Sequence, residues 1–238
     1  MQHREDAIFE ILQRLSSFSN GFSKPKLILI GGYALRAFVD LSRYTRDCDF
    51  VVKEDCLEQV KTWLKDLNVE AFEQGKTHGY LRLLKLLKAG KSSAKLSLDF
   101  MQGHVVGRVE EDKVMIDDKF VQNCKRTSVS VGGNRLDFFV PDYTDYLILK
   151  VASARPSDIR DIATLIWRNG VPDDLKGRAL EIVFSREIFV KNIDEVMRTL
   201  SDRRFVDSWR GTFLVKDFTD EDKKAVIEKV KSLSLAML

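Results

Sequence analysis

The sequence predicts an α+β protein in which a mixed β-sheet flanked by helices is followed by a helical domain. Two observations lead to this prediction. Before Pro141, short apolar runs of strand length alternate with segments of helical period. After Pro141, every segment with a clear hydrophobic period is helical. We therefore expect a first domain over residues 1–141 and a second, helical domain over residues 142–238.

The first part of the chain alternates between the two periods. Ile8, Ile11, Leu12 and Leu15 recur at helical spacing. The unbroken apolar run that ends at residue 30 is typical of a buried strand. The pattern predicts, in order, a helix over 7–15, a strand over 26–30, a turn at Gly31 and Gly32, a helix over 33–41, a strand over 48–52 and a helix over 57–67.

Strands dominate the next segment, and helices dominate the rest. In the strand that contains Asp99, Leu96, Leu98 and Phe100 share one face while Asp99 lies on the other. The predicted strands cover 69–72, 80–87, 94–101, 127–131 and 135–140, the last two as a hairpin around Gly132 and Gly133. The predicted helices cover 143–154, 157–168, 173–184, 188–200 and 219–235.

Composition limits the classes of protein that the chain can represent. Hydrophobic residues make up 44% of its 238 residues, which is enough to build a core. A net charge of +3 is too small to indicate a nucleic-acid-binding protein by itself. The three cysteines form no C-x-x-C pair, and no apolar run reaches the length of a signal or a membrane span. We expect a cytoplasmic protein without a membrane partner.

Asp47 and Asp49 are the most informative pair of residues in the sequence. They are one residue apart at the start of a strand, so both side chains lie on one face, with Cα atoms roughly 6–7 Å apart. Two carboxylates so close repel each other unless a cation lies between them, and oxygen ligands favour Mg²⁺ or Mn²⁺. Asp99, on a later strand, is the candidate third acid, and Asp137 is its rival. Solvated acids at a strand end are the alternative interpretation.

Gly31 and Gly32 directly follow an apolar strand and precede a helix. Without side chains, the backbone N–H groups there can approach an anion closely, and the helix N-terminus favours negative charge. The pair therefore predicts a cradle for the phosphates of a nucleotide. The alternative is an ordinary tight turn between a strand and a helix.

These residues form a pattern that resembles a known superfamily. An apolar strand, Gly31 and Gly32, a short helix and then Arg-x-Thr-x-Asp-x-Asp over residues 43–49 resemble the polymerase-β-like nucleotidyltransferases, and most closely the AbiEii-toxin-like branch. A second stretch, with Lys150 on one helix and Arg160 and Asp161 on the next, is similar to a later motif of that branch. Thr164 stands where the family often has a second Asp.

The resemblance implies a nucleotidyltransferase-like fold and a set of site residues. Asp47, Asp49 and Asp99 would be the catalytic acids and the ligands of two Mg²⁺ ions. Six further residues would serve the nucleotide: Gly31 and Gly32 at its phosphates, Arg43 and Thr45 at the loop or a phosphate, Lys150 facing the nucleotide, and Asp161 in the accompanying motif.

The expected function is therefore transfer of a nucleoside monophosphate from an NTP to a hydroxyl group, with Mg²⁺ or Mn²⁺ as the cofactor. The acceptor could be a tRNA end, a protein side chain or a small molecule. The alternative is a non-catalytic module that binds a nucleotide or a protein and forms one half of a toxin–antitoxin-like pair, with an antitoxin-like protein as its partner.

Overall fold

The computed structural model describes residues 2–18, 26–41, 43–45, 47–53, 56–66, 71–73, 80–89 and 92–237, and it has the predicted α+β class. Its strands are β1 Leu27–Ile30, β2 Asp47–Val52, β3 Ala71–Glu73, β4 Tyr80–Ala89, β5 Ser92–Gln102, β6 His104–Val105, β7 Val114–Met115, β8 Lys125–Val131 and β9 Asn134–Val140. Its helices are α1 Gln2–Phe18, α2 Gly31–Ala34, α3 Leu57–Asp66, α4 Asp118–Asn123, α5 Tyr143–Ser153, α6 Pro156–Asn169, α7 Leu175–Ile182, α8 Arg186–Leu200, α9 Phe205–Phe213 and α10 Asp220–Met237.

The main sheet is mixed, with seven strands in the order β3-β4-β5-β2-β1-β9-β8. β2 pairs with β5, and β1 with β9, in parallel, whereas the other neighbours are antiparallel. β2 is therefore a central strand with a partner on each side. β6 and β7 form a separate antiparallel pair.

Two compact units make up the chain. The first contains Met1–Ala37, Thr45–Gly103 and Asp118–Pro141, and the second contains Phe38–Tyr44, His104–Asp117 and Asp142–Leu238. The main sheet belongs to the first unit, and the helices from α5 onwards belong to the second. The domain boundary that we predict between residues 141 and 142 stays a prediction, since each unit also draws on shorter segments.

Aromatic rings fill the core of the first unit on one face of the sheet. Phe50 of β2 stacks on Phe100 of β5 with ring centroids 5.4 Å apart, and Phe138 of β9 lies 6.3 Å from Phe50. All three side chains are buried. Because successive side chains of a strand alternate faces, residues next to these aromatic residues point to the other face.

A second aromatic cluster holds the helices of the second unit together. Trp209 of α9 is fully buried, lies edge-on to Trp167 of α6 and donates its indole N–H to Thr164. The last helix begins with a capping box, because Thr219 and Asp222 exchange backbone and side-chain hydrogen bonds.

Some elements differ from the prediction. The helix expected over 33–41 is only α2 followed by a 3₁₀ turn at Leu35–Ala37. The next residue, Phe38, belongs to the second unit and stacks there on Tyr146, so tertiary packing ends the helix early. The pattern also missed α4, α9, β6 and β7. No helix in the described ranges combines the length and apolar character needed to cross a bilayer.

Candidate active site

The register of β2 and β5 brings the acidic residues of the first unit together. Asp49 lies directly opposite Asp99, and Asp47 lies opposite Ser97. Directly opposed residues on paired strands point to the same face, and so do residues two apart on one strand. Asp47, Asp49 and Asp99 therefore share one face of the sheet. Asp47 is exposed, Asp49 is half-buried and Asp99 is buried.

The opposite face of the same two strands is closed. Cys48, between the two acids, is 1% exposed and faces the core with Phe50. Burial, reinforced by the charges of Asp49 and Asp47, raises the pKa of the Cys48 thiol well above its usual value. A thiol that stays protonated and faces the core does not act as a nucleophile.

Asp47 is anchored at the beginning of β2. The hydroxyl of Ser97 donates a hydrogen bond to Oδ1 of Asp47 at 2.5 Å. The hydroxyl of Thr45 donates to the backbone carbonyl of Asp47 at 3.3 Å, and Thr45 is buried. Thr45 thus braces the start of the strand, and its role at a nucleotide stays a prediction.

Gly31 lies against the carboxylate of Asp49. A Cβ atom built on Gly31 would lie 2.0 Å from Oδ2 of Asp49, a distance that no side chain can occupy. The φ angle of Gly31 is +66°, a conformation that residues with a side chain rarely adopt. Glycine at this position therefore leaves room for the carboxylate. Gly32 is buried in the first turn of α2. The role of both glycines at a phosphate stays a prediction.

Two residues that the sequence interpretation missed complete this face. Arg82 of β4 lies opposite Asp99, and its Nε and Nη2 donate to Oδ1 and Oδ2 of Asp99, each at 2.7 Å. The guanidinium also lies 5.4 Å from the centroid of the Tyr80 ring. Burial and then the Asp99 carboxylate raise the pKa of the Tyr80 hydroxyl.

Hairpin counting could have identified Arg82. Ala89 and Ser92 close the β4–β5 hairpin, and counting outward from that pair places Arg82 opposite Asp99. The sequence interpretation predicted the two strands but did not pair their residues.

The rival third acid lies elsewhere on the sheet. Ile28 pairs with Phe139, so Asp137 is beside the beginning of β1, whereas Asp49 pairs with Ile30 at its end. This separation of four residues corresponds to about 13 Å along the strand. The side chain of Asp137 is 53% exposed, and Arg126 lies 3.6 Å from it. The register therefore places Asp99, and not Asp137, beside Asp49.

The donors on this face fit a hard divalent cation in their chemistry. They are carboxylate oxygens, which Mg²⁺ and Mn²⁺ prefer, and the space beside Asp49 is kept open by Gly31. In the described ranges, however, no group of three His, Cys, Asp or Glu residues is arranged as a metal cage. The pairing of both Asp99 oxygens with Arg82 is consistent with this, because a cation at Asp99 has to share the carboxylate with the guanidinium or displace it.

The remaining predicted residues meet in the second unit, where they form a buried ion network. Nζ of Lys150 lies 2.8 Å from Oδ1 of Asp158 and 2.8 Å from Oδ2 of Asp161. Arg43 donates to both oxygens of Asp161, through Nε at 2.6 Å and Nη2 at 2.7 Å. Two cations and two anions thus balance in a nearly dry environment.

The network explains several pKa shifts. Burial lowers the pKa of the Lys150 ammonium, but the charges of Asp158 and Asp161 outweigh burial and raise it. The same balance raises the pKa of Arg43 through Asp161. Both side chains are therefore charged and already bound to carboxylates in this structure. Their role at a nucleotide, like that of Asp161, stays a prediction.

Comparisons with solved structures give distant likenesses of the fold. JHP933 from Helicobacter pylori is 12% identical, with a TM-score of 0.46, over 99% of this chain and 90% of that one. A candidate nucleotidyltransferase from H. pylori is 11% identical, with a TM-score of 0.47, over 100% of this chain and 94% of that one. A tRNA nucleotidyltransferase bound to a primer tRNA and an ATP analogue is 17% identical, with a TM-score of 0.30, over 82% of this chain and 60% of that one.

Likenesses this distant carry no information about substrate. No curated protein matches the chain by sequence. A family model does match, over residues 6–172, and its description is nucleotidyltransferase of unknown function, DUF6036. The match covers most of the chain and includes Asp47, Asp49, Asp99 and the Lys150 network. The chain therefore belongs to the DUF6036 family of nucleotidyltransferases.

Proposed function

We propose that this protein is a Mg²⁺-dependent nucleotidyltransferase that moves a nucleoside monophosphate from an NTP to a hydroxyl group. Mn²⁺ would replace Mg²⁺ in the same site. The observation that carries the proposal is the pairing of Asp49 with Asp99 across β2 and β5, with Asp47 on the same face. Carboxylates on one patch of a sheet repel one another unless positive charge is present, and a pair of divalent cations is a recognised source of that charge in nucleotidyl transfer.

The reaction assigns each acid a task. Asp47 and Asp49 would hold the cations, and Asp99 would join them once Arg82 releases an oxygen. Divalent cations supply charge neutralisation for the triphosphate and lower the pKa of the attacking hydroxyl. The acceptor oxygen forms a bond to the α-phosphorus, the bond from that phosphorus to the pyrophosphate oxygen breaks, and the hydroxyl proton leaves to a carboxylate such as Asp99 or to water.

Gly31 contributes through the absence of a side chain. Because Gly31 has no side chain, the carboxylate of Asp49 can pack against the backbone at the end of β1. Gly31 and Gly32 would border the phosphates. For Arg43, Thr45, Lys150 and Asp161 we propose the contacts with the nucleotide that the family resemblance implies. The acceptor belongs to one of three classes, namely an RNA end such as tRNA, a protein side chain or a small molecule.

The direct test is transfer of label. Purified protein is incubated with each α-³²P-labelled NTP, Mg²⁺ or Mn²⁺, and a total cell lysate. We expect labelled RNA, protein or small molecule with the native chain and none with Asp49→Asn. The matched control is Asp137→Asn, which removes a carboxylate of the same unit that lies about 13 Å from the acids along the strand. Full labelling by Asp49→Asn would refute the assignment.

One observation favours a second candidate function. The bidentate pair of Arg82 with Asp99 neutralises the third acid, as would suit a non-catalytic module that binds a nucleotide or an antitoxin-like protein partner. Thermal unfolding separates the two candidates. A ligand that binds the native state raises the melting temperature, so a shift with an NTP and Mg²⁺ but no label transfer to any acceptor would support the binding module.

A further inference from the structure

Arg82 competes with any cation for the oxygens of Asp99. Its Nε and Nη2 each lie 2.7 Å from a different oxygen of that carboxylate, a forked geometry that gives the strongest form of this ion pair. Asp99 is only 6% exposed, and the hydroxyl of Tyr80 also hydrogen-bonds its carboxylate. A divalent ion that binds Asp99 must therefore share, or take over, a carboxylate that is already paired with a cation.

The guanidinium cannot leave as a neutral group. Arginine stays protonated at any pH at which proteins are folded, so Arg82 retains its positive charge when it separates from Asp99. A divalent ion arriving at Asp99 would then stand beside an unpaired cation, and the two would repel each other. The exchange is easier when an incoming anion receives the guanidinium.

The position of Arg82 allows this exchange. Its side chain is 34% exposed although its partner is buried, so the guanidinium lies at the boundary between the sheet and solvent. The triphosphate of an NTP is the anion that the proposed reaction brings to this face, and Arg forms forked hydrogen bonds to phosphate as readily as to carboxylate.

Resting on the proposed function, we infer that Arg82 is a nucleotide-binding residue that couples binding of the cation to binding of the NTP. It neutralises Asp99 while no nucleotide is bound, and it passes to a phosphate oxygen when the NTP arrives with its cation. Asp99 therefore becomes a metal ligand only in the presence of the NTP, and the cation alone binds weakly.

The test measures metal affinity and does not depend on turnover. Mn²⁺ binding is followed by electron paramagnetic resonance with and without a non-hydrolysable NTP analogue. In the native protein the analogue should tighten Mn²⁺ binding. In Arg82→Gln we expect Mn²⁺ alone to bind about tenfold or more tightly than in the native protein, and the gain from the analogue to shrink.

A second variant and a matched control complete the test. Arg82→Lys keeps the charge but offers a single point of contact, so its affinity for Mn²⁺ alone should lie between the other two. Arg126→Gln removes the same charge from the same sheet, at an exposed pair with Asp137, and should leave Mn²⁺ binding unchanged. Circular dichroism verifies that each variant is folded.

The outcomes separate this inference from the proposed function. Equal Mn²⁺ affinity in the native protein and in Arg82→Gln, with an unchanged gain from the analogue, overturns the role of Arg82 and leaves the transferase proposal standing. Failure of Mn²⁺ to bind in every variant, with and without the analogue, overturns both.

Discussion

The backbone of Gly31 packs against the side chain of Asp49 so closely that a methyl group would lie 2.0 Å from Oδ2. This contact joins the end of β1 to the acid face of β2. The carboxylate can hold this position only when residue 31 is glycine. Four predictions test contacts within the first unit and contacts within the second.

Gly31→Ala should impair both folding and transfer, because the new methyl group collides with Asp49 in addition to straining the backbone. Gly133→Ala is the matched control, since Gly133 has φ of +83° but nothing within 4 Å of its Cβ position. We expect the control to lose about 1–2 kcal/mol in urea unfolding from backbone strain alone and to keep its activity. Gly31→Ala should lose more free energy of unfolding and most of its label transfer. Equal behaviour of the two variants would contradict the contact.

Asp99→Asn should lower label transfer by about 100-fold or more, because an amide neither ligates a hard cation as a carboxylate does nor accepts a proton. Asp137→Asn should leave the rate within about twofold of the native value, a change of roughly 0.4 kcal/mol in the barrier. Initial rates at saturating NTP measure both. If Asp137→Asn were the inactive variant, the register of β5 and β9 would not define the site.

Lys150→Met should destabilise the second unit strongly. The change removes the lysine that pairs with both Asp158 and Asp161, and it leaves Arg43 paired with Asp161. Breaking a buried ion pair by removing one partner costs about 3–5 kcal/mol. Lys231→Met removes a lysine from an exposed pair with Glu228 and should cost less than about 1 kcal/mol. Urea unfolding monitored by tryptophan fluorescence compares them, and a cost for Lys150→Met as small as that of the control would contradict the network.

Asp158 should make stability fall on the acid side. Burial raises its pKa, but the charge of Lys150 outweighs burial, so the pKa in the native protein lies below the ordinary value of 3.8. The unfolded chain then binds more protons than the native one, so the stabilisation is present above that ordinary value and is lost as pH falls through the lowered one. Asp158→Asn should therefore show a flatter dependence of unfolding free energy on pH below about 4 than the native protein, and an equally steep dependence would contradict the pairing with Lys150.

Local patterns of the sequence predicted much of this molecule. The alternation of side chains along a strand was sufficient to place Asp47 and Asp49 on one face and Cys48 on the other, because that relationship depends on neighbouring residues only. The order of most strands and helices followed from hydrophobic period in the same way.

Features that depend on the pairing of distant strands or on the packing of helices could not be derived from local patterns alone. Choosing Asp99 over Asp137 requires the register of β2 with β5 and of β1 with β9, and no property of either aspartate encodes it. Early termination of the helix after Gly31 has the same origin, because the stacking of Phe38 on Tyr146 outweighs the helical period of the sequence. The Lys150 network was missed because the buried partners of a lysine are set by helix packing and not by its neighbours in the chain.

The stacked rings of Phe50 and Phe100 directly follow Asp49 and Asp99 on the same two strands. Any substitution that loosens the stack therefore also changes how far apart the two carboxylates stand. Packing on the closed side of the sheet and chemistry on its open side cannot be altered independently, so a screen for variants of higher stability at these two phenylalanines is at the same time a screen for altered spacing of the acids.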